Sequence, residues 1–297
     1  MTDTQNEVFK TPVNKIRLFE HGAPGSQNFK LTRKYYTEDM PDGRVKHIVQ
    51  NITDPDIVPY IPDGIGNSTD RQRIPAVLII PGGAFRRLVY NFEGEDVAKW
   101  LNSMGIAAFV LECRLPSDEH DNAEDVPLID AMRAMRVIRG RAQEFGIDEA
   151  KIGVMGFSAG GFMAALLSTA YESDVYADYK YKDEYDKLSA RPDFAVCSYP
   201  VISIDDCIEA GKRYMSEEQV LERISDSKAK ILHKYNPDKL VRPDMPPVFI
   251  CETDDDRTTL SENSVGFYMA ARKAGVSAEL HIFRTGGHGY GCGDDFA

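Results

Sequence analysis

The chain has 297 residues, 42% hydrophobic and 28% charged, with a formal net charge of −12. That length suits one large α/β domain or two smaller ones. Such acidity argues against nucleic acid or an anionic membrane surface as a partner.

Residues 1–30 are polar, with Ile16-Arg17-Leu18-Phe19 as a short candidate strand. Residues 44–52 are β-branched and strand-like, and a second short extended piece lies between Asp54-Pro55 and Ile61-Pro62-Asp63-Gly64. Together they predict an antiparallel edge laid down before the main sheet. From residue 75, strands and helices alternate. Pro75–Ile80 and Ile106–Leu111 are continuous apolar runs, as expected of strands buried on both faces. Between them Glu95–Leu101 reads as a helix ended by Gly105, and Leu128–Phe145 reads as one amphipathic helix ended by Gly146. Residues 171–190, rich in Tyr, Asp and Lys, read as a surface excursion. Further strands are predicted at 194–199, 247–251 and 279–283, with a helix at 261–273. Residues 203–243, centred on Glu217–Glu222, are polar and helical and form a candidate cap. This alternation implies a mainly parallel central sheet with helices on both faces. No repeat or linker divides the chain, so 1–297 reads as a single domain.

The start Met1–Glu7 lacks the basic-then-apolar pattern of a signal peptide. No apolar run approaches the ~18 residues of a membrane helix. Five scattered cysteines (Cys113, Cys197, Cys207, Cys251, Cys292) without C-x-x-C spacing read as reduced thiols of a cytoplasmic protein. No cofactor motif or metal-ligand spacing is present.

The most informative stretch is Lys151–Leu167. An apolar run climbs to Gly156, Ser158 follows, Gly160-Gly161 close a turn, and an Ala/Leu/Met run continues as a helix. Strand, sharp turn and helix with a serine at the apex describe a nucleophile elbow. Small flanking residues are required because the turn leaves no room for side chains. In parallel sheets, functional groups gather at the C-terminal ends of strands. Gly82-Gly83-Ala84 follows one strand, Ser158 the next, the cluster Asp254-Asp255-Asp256 a later one, and His288 the last. A serine needs a base, and an imidazole needs an acid to orient it. Ser158, one of the three aspartates and His288 therefore form a candidate nucleophile–acid–base set. Backbone N–H groups of Gly83, Ala84 and Ala159 are the candidate donors to an oxyanion. Each feature also has a plainer reading: a Gly-Ser turn, a loop histidine, a helix-capping acid cluster. Four placements in the right order make a joint accident improbable. Of the other histidines, His281 reads as a strand residue and His233 as solvated.

Several stretches resemble the bifunctional feruloyl/acetyl-xylan esterase-like branch of the α/β-hydrolases. They are Pro81–Phe85, Glu93–Leu101, Gly156–Gly161, Ser189–Phe194, Tyr199–Ile202 and Gly286–Gly291, with Leu18–Gly25 at the start. The resemblance spans nearly the whole chain. It implies an α/β-hydrolase fold and a cofactor-free serine esterase acting on small esters or acylated oligosaccharides, including acetylated or feruloylated plant-polysaccharide fragments. Two departures stand out. The oxyanion turn, commonly Gly-Gly-Gly, here ends in Ala84. The acid loop, commonly Asp-x-x-Val-Pro, here reads Asp256-Arg257-Thr258-Thr259-Leu260. That spacing favours Asp256 as the acid over Asp255 and Asp254. A non-catalytic binding protein on the same fold, a small serine aminopeptidase and a general lipase-like esterase are the alternatives.

Overall fold

The computed structural model describes residues 9, 13–65, 73–213, 215–216, 218–220 and 229–293. Among them eleven strands occur: β1 (Ile16–Arg17), β2 (Lys34–Asp39), β3 (Val45–Gln50), β4 (Asp56–Tyr60), β5 (Ile74–Ile80), β6 (Leu88–Val89), β7 (Ala107–Glu112), β8 (Ile147–Phe157), β9 (Ala195–Ser198), β10 (Val248–Thr253) and β11 (Ala278–Phe283). Eight of them form one sheet in the order β1-β4-β7-β5-β8-β9-β10-β11. From β7 to β11 every pairing is parallel. The apolar runs predicted as doubly buried strands lie at its centre. Ala76 to Ile80 and all six residues of β7 are buried.

The antiparallel edge is split in two. Strands β1 and β4 extend the main sheet against β7. Strands β2, β3 and β6 form a separate antiparallel sheet. Strand β2, Lys34-Tyr35-Tyr36-Thr37-Glu38-Asp39, has no fully buried residue. It therefore lacks the apolar alternation by which a strand is read from sequence.

The helix expected over 128–145 is interrupted. Helix Val126–Gly140 ends at Arg141, and a single turn, Ala142–Phe145, follows. The break has a packing cause. A Cβ on Gly140 would lie 2.3 Å from the Tyr185 ring, so glycine is required there, and glycine weakens a helix. The helix is also buried on most sides rather than amphipathic. The 171–190 excursion is pinned down: Arg133 bonds Asp183 and Asp186, and Tyr176 is buried. In the candidate cap, helices Ile204–Lys212 and Ala229–Lys234 are present. Part of its central stretch, including Leu221 and Glu222, lies outside the described residues. Among the described residues no helix is long and apolar enough to cross a membrane.

Candidate active site

Ser158 sits between the end of β8 and helix Ala159–Ala170, with φ 53° and ψ −117°. Such backbone costs an L-residue on the order of 1–3 kcal/mol and survives only where its surroundings enforce it. Here the enforcement is close contact. A Cβ on Gly156 would sit 2.0 Å from the Gly160 carbonyl oxygen, and one on Gly160 would sit 2.0 Å from that of Ile80. The two glycines thus let strand, turn and helix pack backbone to backbone, with Ser158 at the apex.

His288 joins two of the predicted groups. Its Nε2 lies 2.9 Å from Ser158 Oγ, and its Nδ1 lies 2.6 Å from Asp256 Oδ2. Asp256 is buried. Its Oδ1 accepts the Thr258 and Thr259 N–H groups at 2.7 and 3.0 Å, and its Oδ2 accepts the Thr259 hydroxyl at 2.9 Å. Burial works against the charged form, but the His288 contact and these donors prevail, holding the carboxyl below its ordinary range. The other two acids do different work. Asp255 accepts the Gly287 N–H at 2.8 Å, and the Asp254 N–H bonds the Phe283 carbonyl. Asp255 therefore steadies the loop that carries His288.

The turn after β5 also comes close to Ser158. A Cβ on Gly82 would lie 3.0 Å from Ser158 Cβ. Gly83 has φ +137°, and a Cβ there would lie 2.1 Å from the Arg87 carbonyl oxygen. Ala84 has φ 57°, so the departure from glycine leaves the left-handed backbone in place. The Gly82 N–H already donates to Glu93 Oε2 at 2.8 Å. The Gly82 N–H is therefore already engaged and is not a candidate oxyanion donor. Ala159 opens its helix, so its N–H has no acceptor within the helix.

Three residues at the site have roles that sequence reasoning did not assign. Thr259, read only as a departure from valine, places a hydroxyl on Asp256. Glu93 is buried and accepts the Tyr199 hydroxyl at 2.9 Å. Tyr199 is fully buried at φ 37°, with its ring edge-on to His288 at 5.0 Å. Glu93 and Tyr199 both fall in stretches that carry the family resemblance, and this is the only sequence signal for them. His281 is exposed beside Glu279, and His233 is exposed on its helix. Neither reaches the site.

A mainly parallel sheet with a serine, an aspartate and a histidine beyond the ends of three of its strands, in that chain order, defines an α/β-hydrolase. The BD-FAE family profile matches residues 65–270, more than half the chain. The chain belongs to that family. It is 31% identical over 223 residues to an acetylxylan esterase of Xylanibacter ruminicola, covering 74% of this chain and 42% of the relative. It is 29% identical over 269 residues to endo-1,4-beta-xylanase B of Butyrivibrio fibrisolvens, covering 88% and 40%. The chain thus spans about two-fifths of the length of these curated relatives. Among solved structures, the acetyl ester-xyloside bifunctional hydrolase from Caldicellulosiruptor lactoaceticus is 38% identical with a TM-score of 0.62, covering 80% of each chain. The carboxylesterase Cest-2923 of Lactobacillus plantarum, 21% identical with a TM-score of 0.64 over 88% of this chain and 86% of its own, shares the fold.

Proposed function

We propose that the protein is a serine carboxylic ester hydrolase that works through an acyl-enzyme. The observation that carries this reading is the continuous relay from Ser158 Oγ through His288 to Asp256, at 2.9 and 2.6 Å. As Ser158 Oγ attacks the ester carbonyl, His288 Nε2 takes its proton. Asp256 fixes the ring tautomer and stabilises the imidazolium. The N–H groups of Gly83, Ala84 and Ala159 receive the oxyanion. The alcohol leaves with the proton from His288, and water repeats the cycle on the acyl-enzyme. A non-catalytic binding protein on this fold would have no reason to keep the relay at bonding distance.

For the substrate we propose short acyl esters, acetyl above all, on plant-polysaccharide oligosaccharides. The names of the acetylxylan esterase and acetyl ester-xyloside hydrolase relatives support this. So does a cleft of about 20 Å³ beside the oxyanion turn, lined by Gly82, Phe85, Leu115, Pro116, Ala159 and Met163. That space takes one water- or methyl-sized group. We further take 1–297 as one hydrolase unit, which the strand order from Ile16 to Phe283 within one sheet supports. Free thiols at Cys113, Cys197 and Cys251 support a cytoplasmic setting.

The test compares p-nitrophenyl acetate, butyrate and octanoate with acetylated xylo-oligosaccharides and methyl ferulate. Acetyl esters should give the highest kcat/KM. Faster hydrolysis of octanoate than of acetate would overturn the acyl assignment, and no turnover of any ester would overturn the hydrolase reading.

A further inference from the structure

Glu93 belongs to a π-helical turn, Asn91–Glu95, a geometry found often at functional sites. Its side chain is buried, and each carboxylate oxygen has a partner. Oε2 accepts the Gly82 N–H at 2.8 Å, and Oε1 accepts the Tyr199 hydroxyl at 2.9 Å. The Tyr199 oxygen in turn accepts the Gly291 N–H at 3.1 Å. Gly82 lies in the oxyanion turn, and Gly291 lies in the loop that carries His288. The same π-helical turn also meets that loop directly: a Cβ on Gly291 would lie 2.7 Å from the Phe92 carbonyl oxygen. One buried carboxylate therefore stands between the two halves of the site.

We propose that Glu93 is a positioning residue for the reaction: it fixes the oxyanion turn and the His288 loop in one register, and its charge faces the imidazolium that forms during acyl transfer. The proposal rests on the hydrolase reading above. The hydrogen bonds select the anion. The Gly82 N–H can only donate, and the Tyr199 hydroxyl, already accepting from Gly291, has Glu93 as the acceptor for its own proton. Both partners therefore donate to Glu93, which suits a carboxylate and leaves no acceptor for a carboxyl proton. The charged groups that face Glu93 are His288 and Lys46, beside the Tyr199 phenol. Burial pushes the carboxyl above its ordinary range, against the Tyr199 bond, the His288 charge, the Gly82 N–H and Lys46. Tyr199 meanwhile presents its ring edge-on to His288, so the phenol both supports the imidazole and relays the Glu93 contact to Gly291.

The test uses Glu93→Gln, Glu93→Asp and Tyr199→Phe in the full chain. Glutamine keeps the volume but turns one acceptor into a donor, so Gly82 or Tyr199 loses its partner. We expect kcat on p-nitrophenyl acetate to fall about 10–100-fold in Glu93→Gln, with KM within about twofold. The acid limb of kcat/KM should move to lower pH, because the imidazolium has lost a neighbouring negative charge. Glu93→Asp should recover part of both. A role confined to stability would lower Tm but leave kcat per folded active site and the acid limb where they were; that result overturns the proposal. A substrate-free readout separates it from the hydrolase reading. The midpoint of the His288 ring signals in an NMR titration should fall in Glu93→Gln. An unmoved midpoint overturns the proposal, and a lower midpoint in a protein that hydrolyses no ester upholds the coupling while the hydrolase reading fails. Should Glu93→Gln not fold, Tyr199→Phe decides: it keeps the ring against His288 and removes the link. A kcat loss of about tenfold at constant KM supports the proposal; wild-type kcat overturns it.

Discussion

Asp256 and His288 meet at 2.6 Å, Oδ2 to Nδ1, across 32 positions of sequence, while the adjacent Asp255 bonds the Gly287 backbone. The two aspartates therefore separate cleanly in a substitution test. Asp256→Asn should lower kcat on the order of 10⁴-fold, because the amide enforces the wrong imidazole tautomer. Asp255→Asn should keep kcat within a few-fold, since an amide oxygen still accepts the Gly287 N–H. Active-site titration with a phosphonate, followed by kcat per titrated serine, measures both. A silent Asp256→Asn beside a dead Asp255→Asn would shift the assignment by one residue.

Ser158→Ala should abolish ester hydrolysis and leave Tm within a few degrees. The hydroxyl lost is small, its bond to His288 lies at the site, and alanine tolerates φ 53° no worse than serine. Residual activity together with a thermal scan decides. Retention of most of kcat would remove Ser158 as the nucleophile; loss of folding would make it a structural serine.

How far the site could be read from the chain depended on whether a residue's job is local. Gly156 and Gly83 have local jobs, because a side chain at each would collide with the backbone four residues on, at Gly160 and Arg87. Ser158 and His288 follow from their places after strands. Glu93 was not legible as a functional group. Its partners Gly82 and Tyr199, and Gly291 that bonds Tyr199 in turn, come from three separate loops, and only the folded sheet brings them together. Thr259 was read as a departure from valine, yet its hydroxyl bonds the acid; a register argument ranks side chains by likeness and is blind to a new donor. The fold shows the same division. Strands β5 and β7 carry their burial in composition, whereas β2, with no fully buried residue, does not.

The pH dependence of activity and of stability should part company. With His288 required neutral as the base, kcat/KM should rise with pH along an acid limb. Asp256 does not set that limb, because its carboxyl is held below its ordinary range despite burial. A depressed carboxylate contributes stability above its unfolded value of about 3.9 and loses it as pH falls through the folded value. On the acid side of that limb the protein should therefore lose activity but stay folded, and full activity should return on readjustment from pH 5. Irreversible loss at pH 5 would contradict this separation.

Ala84→Gly tests the unusual oxyanion turn. Alanine at φ 57° occupies left-handed backbone that costs an L-residue about 1–2 kcal/mol, while glycine adds roughly 0.4–1 kcal/mol of unfolded-state entropy. The net should be a small gain in stability. The backbone donor remains, so kcat should stay within a few-fold. Denaturant midpoints and p-nitrophenyl acetate kinetics measure the two effects. A hundredfold fall in kcat would mean that the alanine methyl, rather than the backbone N–H, matters to the site.

Glu252 offers a test of how the acid loop tolerates a second carboxyl beside Asp256. It is the next-to-last residue of β10 and fully buried, accepting the Thr253 N–H at 3.0 Å and the Ser264 hydroxyl at 3.2 Å. Burial, reinforced by the Asp256 charge and a hydrogen bond with Asp256, pushes it up to about 9. Near neutral pH burial and the Asp256 charge therefore favour the protonated acid. In the unfolded chain the same group ionises near 4.3. Between those values the folded protein keeps a proton that the unfolded chain releases, so stability falls as pH rises through that window. Glu252→Gln cannot ionise, and its amide oxygen can still accept one of the two donors. The variant should keep kcat within a few-fold, and its Tm should decline less than that of the wild type from pH 5 to pH 9. Parallel Tm curves over that range would show that Glu252 is already ionised in the folded protein.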